Sequence, residues 1–120
     1  MAIRHITMVT LLGIALLPCG ASAHAILMQS TPAAGATVSA GRQTMSFRYN
    51  SRIDRDRSRL TLTGPDHHQS VLTIIPAGGP DTIETNVELT MPGAYVMRWQ
   101  VLAIDGHITR GDVPFTVTGH

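Results

Sequence analysis

The sequence predicts an all-β fold: a seven-stranded antiparallel β-sandwich with Greek-key connections. Three observations predict it. No long segment carries helical periodicity; apolar and polar residues instead alternate over short runs; and Gly, Pro and Asp interrupt those runs at close intervals. Residues 25–28 read as the first strand, closed by Ser30, Thr31 and Pro32, and residues 32–35 form a turn-rich break. Met45, Phe47 and Tyr49 alternate with Ser46 and Arg48 in the second strand, and Leu60 and Leu62 with Thr61 and Thr63 in the third. Gly64, Pro65 and Asp66 turn the chain. Residues 71–75 make a short fourth strand, stopped by Pro76, Gly78, Gly79 and Pro80. Ile83, Val87 and Leu89 share parity in the fifth, and Pro92-Gly93 turns it. The sixth is the clearest: Tyr95, Met97, Trp99 and Val101 point one way, Val96, Arg98 and Gln100 the other. Val113, Phe115 and Val117 form the seventh. Phe47, Tyr95, Trp99 and Phe115 are the expected large core residues, and Met45 and Met97 share the core parity as fillers.

The chain has 120 residues, the size of one domain. Residues 1–23 have the layout of a cleaved secretory signal peptide: a weakly basic start at Arg4 and His5, a short apolar middle and an Ala21-Ser22-Ala23 ending. The apolar run is short for a bilayer span, and Pro18 before Cys19 argues against lipid attachment there. Residues 24–120 are then the mature domain, with His24 first. Cleavage removes Cys19, the only cysteine, so neither a disulfide nor a thiolate remains. The mature domain carries eight arginines, no lysine and eight acidic residues. Asp54 and Asp56 interleave the arginine cluster at 48–59, which reads as a solvated strand end rather than a nucleic-acid site.

Two elements stand out chemically. As a new amino terminus, His24 offers an α-amine, whose ordinary pKa lies near 8, together with its own ring Nδ1, two nitrogen donors able to chelate one ion. Asp105-Gly106-His107 follows the sixth strand. Asp105 and His107 project to one side if the chain between them is extended, and Gly106 lets both turn toward one point. Taken alone, the triplet reads equally as a D-G turn beside an exposed histidine. Together the elements supply three nitrogens and a carboxylate oxygen, which suits Cu(II), with Zn(II) as runner-up. A blue-copper electron-transfer site needs a Cys thiolate, which the mature chain lacks.

The mature chain resembles the CopC family of periplasmic copper-resistance proteins. The matching text begins at His24-Ala25 and runs through residues 30–35 (STPAAG). It resumes at 59–66 (RLTLTGPD) and ends with 95–99 (YVMRW), Asp105-Gly106-His107, Gly111 and 114–117 (PFTV). The resemblance implies an immunoglobulin-like or cupredoxin-like sandwich in the periplasm. It also implies one Cu(II) per chain, held by His24, Asp105 and His107, and a role in sequestration or delivery, with an inner-membrane copper transporter of the CopD type as the exchange partner. No catalytic residue, nucleic-acid partner or membrane embedding after processing is expected, and the protein is expected to be a monomer.

Two departures from the family pattern matter. Met28, Met45, Met91 and Met97 are scattered rather than gathered in the methionine-rich loop that carries a Cu(I) site in some members. His67 and His68 replace the usual residues after the G-P-D turn, where an auxiliary copper contact is conceivable. His120 is expected to fray. Two competing classes are a metal-free immunoglobulin-like interaction module and a small copper oxygenase. The short mature chain leaves the latter little room for a substrate-facing surface, and an Asp105 ligand would fill a position that dioxygen requires open.

Overall fold

A computed structural model of the protein describes residues 24–119; the expected signal segment and His120 lie outside the described residues. The strands are β1 (Leu27–Thr31), β2 (Thr37–Ser39), β3 (Gly41–Tyr49), β4 (Ile53–Thr63), β5 (Gln69–Leu72), β6 (Thr82–Leu89), β7 (Gly93–Ala103) and β8 (Ile108–Thr118). They form two sheets, ordered β1-β3-β6 and β2-β8-β7-β4-β5. Among the described residues there is no helix. The sandwich is as expected, with eight strands in place of seven. The extra one is β2, which joins the sheet edge parallel to β8, Val38 opposite Val117.

Alternation places the core. In β7, Tyr95, Met97, Trp99, Val101 and Ala103 are buried while Ala94 and Arg98 face water. The expected large core residues Phe47, Tyr95, Trp99 and Phe115 are all buried, and Met45 and Met97 are fully enclosed among them. Tyr95 stacks on Phe115, and Tyr49 meets Trp99 edge to face at 5.2 Å between ring centroids. Each such side chain contributes about 1.5–3 kcal/mol by leaving water. Residues 24–119 contain no cysteine, so this burial holds the sandwich together without a disulfide.

The arginine-rich stretch spans a strand end and more: Arg48 lies near the end of β3 and Arg52 in the link that follows, while Arg55, Arg57 and Arg59 lie inside β4, which starts at Ile53. A register irregularity between Asp54 and Arg59 breaks its pairing with β7, so the charged residues there follow no clean alternation. After β5, Ile75 bridges Glu84 of β6, and the Thr85 hydroxyl donates to the Thr73 carbonyl at 2.7 Å, so residues 69–75 pass from one sheet to the other. Arg55 donates to the carbonyls of Ala77, Gly78, Gly79 and Thr82, tying down the loop that leads into β6.

The connections sort to two ends. Residues 24–26, the β3–β4 link, the loop before β6 and the β7–β8 hairpin share one end. The β4–β5 hairpin and the β6–β7 link share the other.

Candidate metal centre

The β7–β8 hairpin closes tightly. The Ala103 N–H donates to the His107 carbonyl at 2.9 Å and the Gly106 N–H to the Ala103 carbonyl at 2.8 Å. Gly106 sits at φ 97°, a left-handed conformation that glycine adopts without steric cost. This is a three-residue hairpin loop ending in a left-handed residue. The Asp105 carboxylate folds back to accept the His107 N–H at 3.2 Å. The triplet is therefore a turn, not an extended pair, and the turn itself brings its two side chains together. Asp105 Oδ1 lies 3.5 Å from His107 Nδ1, with both side chains about half exposed.

His24 comes to the same place from the segment that precedes β1. Its ring packs edge to face against that of His107, centroids 5.6 Å apart and planes at 75°. The next residue anchors it: Ala25 is 1% exposed and belongs to the core. The Ala25 carbonyl accepts from the Thr109 hydroxyl at 3.1 Å, and the Ile26 N–H donates to Asn50 Oδ1 at 2.8 Å. Ile26, Ile104 and Ile108, close in sequence to His24, Asp105 and His107, are exposed.

Tyr49 lies close by, its backbone opposite Leu27, and is the nearby phenol to weigh as a ligand. Its hydroxyl is buried without a hydrogen-bond partner among the described residues, and so is the indole N–H of Trp99. Burial pushes the Tyr49 phenol well above its ordinary range, so it stays neutral and supplies no phenolate.

Of the three expected site residues, His24 stands against His107 and Asp105 beside His107. Among the described residues, no three His, Cys, Asp or Glu side chains already converge as a metal cage. Two neighbouring imidazoles and an adjacent carboxylate form a donor set suited to a borderline divalent ion.

The CopC domain pattern matches residues 27–118. The chain belongs to the CopC domain family. The crystal structure of CopC from Methylosinus trichosporium OB3b superposes on it with a TM-score of 0.74 at 23% identity, covering 81% of this chain and 96% of that one. PcoC, a methionine-rich copper resistance protein from Escherichia coli, superposes with a TM-score of 0.63 at 24% identity, covering 80% of this chain and 100% of that one. In sequence, Protein YobA of Escherichia coli strain K12 is 29% identical over 100 residues, 79% of each chain.

Within this CopC domain, His67 and His68 are placed away from the site. Their hairpin repeats the geometry of the β7–β8 turn. The Gly64 N–H donates to the His68 carbonyl, the His67 N–H to the Gly64 carbonyl, and the His68 N–H to Asp66 Oδ1 at 3.1 Å, with His67 at φ 68°. But it stands at the far end of β7, whose 11 residues span roughly 35 Å at about 3.3 Å each. Neither histidine can touch an ion bound by His107. His68 instead lines a shallow cavity of about 180 Å³ with Asp66, Glu88 and Met91. Met28 is exposed at the end that carries His24, and Met91 at the other.

Sequence reasoning missed Asn50 and Thr109. They lie 24 and 84 residues from the groups they bind. No local pattern marks a hydrogen bond of that reach.

Proposed function

We propose that this CopC-domain protein works in the periplasm, holding one Cu(II) ion for sequestration or delivery in copper resistance or homeostasis, and catalyses no reaction. The observation that carries the reading is the ring contact between His24 and His107, which come from the two ends of the mature domain. Signal-peptide removal after Ala23 frees the His24 amine. The amine and ring Nδ1 of His24, the imidazole of His107 and the carboxylate of Asp105 then supply three nitrogens and one oxygen, a set that favours Cu(II). The exposure of the Asp105 and His107 side chains suits an ion that is handed on. An inner-membrane copper transporter of the CopD type is the exchange partner this reading favours. The description of PcoC as a copper resistance protein supports the same role.

Titration of the exported protein with Cu(II) is expected to give one tight equivalent and a raised melting temperature. Affinity is expected to fall as pH drops below about 7, because protons compete with the metal for the amine and imidazole nitrogens. The variant Asp105→Ala/His107→Ala is expected to lose tight binding. An unchanged melting temperature with excess Cu(II), or tight binding retained in that variant, refutes the reading.

A further inference from the structure

We infer that Asn50 and Thr109 clamp a single peptide unit and thereby position His24 for the metal, an inference that rests on the copper reading above. Residues 24–26 precede β1 and belong to no strand. A chain end of this kind ordinarily frays, which would leave the amine and ring of His24 sampling many directions. Here the peptide unit that joins Ala25 to Ile26 has both its polar groups engaged. Its carbonyl accepts from Thr109 Oγ1 at 3.1 Å, and its N–H donates to Asn50 Oδ1 at 2.8 Å. A peptide unit is rigid and planar, so holding it at both edges fixes its orientation. The Asn50 N–H donates in turn to the Ile26 carbonyl at 3.1 Å, and the buried Ala25 methyl plugs the core.

The origins of the two clamping side chains give the device its direction. Thr109 is on β8, two residues beyond His107, so the strand that begins just after the second imidazole also grips the chain just after the first. Asn50 lies in the β3–β4 link that joins the two sheets. His24 is therefore held against the same framework that holds His107, and the ring contact at 5.6 Å is its consequence. Metal binding by a pre-positioned end gives up less conformational freedom than binding by a frayed one. Asn50 and Thr109 are thus positioning residues: each acts through His24.

The test compares Cu(II) affinity and the Cu(II) electron paramagnetic resonance spectrum of wild-type exported protein with Thr109→Val, Thr109→Ser, Asn50→Ala and Asn50→Ala/Thr109→Val. The melting temperature of each metal-free protein is measured alongside. Thr109→Val keeps the side-chain shape and removes the hydroxyl, and is expected to weaken Cu(II) binding on the order of tenfold. The double variant is expected to weaken it further and to show a mixture of nitrogen-coordination signals in place of one. Thr109→Ser keeps the hydroxyl and is expected to restore both affinity and the single spectrum, which a purely structural role for the residue would not require. Wild-type affinity and spectrum in the double variant, with wild type binding one equivalent, overturn the inference alone. Wild-type protein that binds no Cu(II) overturns the copper reading and the inference with it. Should Thr109→Val fail to fold, Asn50→Ala carries the same comparison.

Discussion

Protein that begins at His24 but is acetylated on its first nitrogen is expected to bind Cu(II) about 100- to 1,000-fold more weakly than the same protein with a free amine. Acetylation converts the amine into an amide. A neutral amide nitrogen is a poor donor, so the chelate formed by the amine and its own ring Nδ1 loses one of its two donors. The change corresponds to about 3–4 kcal/mol. The metal-free fold is not expected to change, because the Ala25 carbonyl contact and the burial of Ala25 remain in place. Competition against a chelator of known affinity, with mass spectrometry of the first residue, makes the measurement. An acetylated form that binds as tightly as the free-amine form would show that the amine is not a ligand.

The contrast between donor and scaffold explains what could be read in the sequence. The strands declared themselves wherever one face is buried, because a period of two then leaves an alternating record, as in β7 and at Met45, Phe47 and Tyr49 of β3. Strand β2 left none: it is three residues, Thr37-Val38-Ser39, attached by backbone pairing to the edge of β8. The start of β4 was hidden for a different reason. Its irregular register against β7 destroys the parity that Ile53 would otherwise share with Leu60 and Leu62.

His24, Asp105 and His107 announce donor chemistry through residue type and position, and the structure sets His24 and Asp105 each beside His107. The opposite error awaited His67 and His68. Their residue types resemble ligands, yet a strand's length separates them from His107. Sequence shows which side chains bear donors, whereas topology decides which donors meet. Asn50 and Thr109 combine both difficulties, since their types are ordinary and their partners distant.

Gly111→Ala is expected to lower the melting temperature of the metal-free protein by about 10–20 °C, and Gly111→Val to prevent folding. Gly111 stands opposite Trp99 in the β7–β8 ladder. A Cβ built on it would lie 2.4 Å from Cζ2 and 2.7 Å from Cε2 of the indole. Carbon atoms do not approach so closely, and the atoms met belong to a rigid ring rather than to a flexible tip. The ring has nowhere to retreat, because Trp99 is buried and Tyr49 stands against it at 5.2 Å between ring centroids. Overpacking of this kind costs about 1–3 kcal/mol, and each kcal/mol shifts the melting temperature of a 60–100-residue domain by roughly 4–8 °C. Thermal unfolding followed by the fluorescence of Trp99, the chain's one tryptophan, reads out both stability and indole environment. The double variant Gly111→Ala/Trp99→Leu separates steric conflict from any intrinsic need for glycine. If the indole is the obstacle, shrinking it makes the added methyl nearly neutral, whereas a backbone requirement would leave the penalty intact. An unaltered melting temperature in Gly111→Ala would mean that the indole does not rest on the glycine. Because Gly111 lies two residues beyond Thr109 and four beyond His107, a displaced β8 carries the metal end with it. Cu(II) binding by Gly111→Ala is therefore expected to weaken along with the fold.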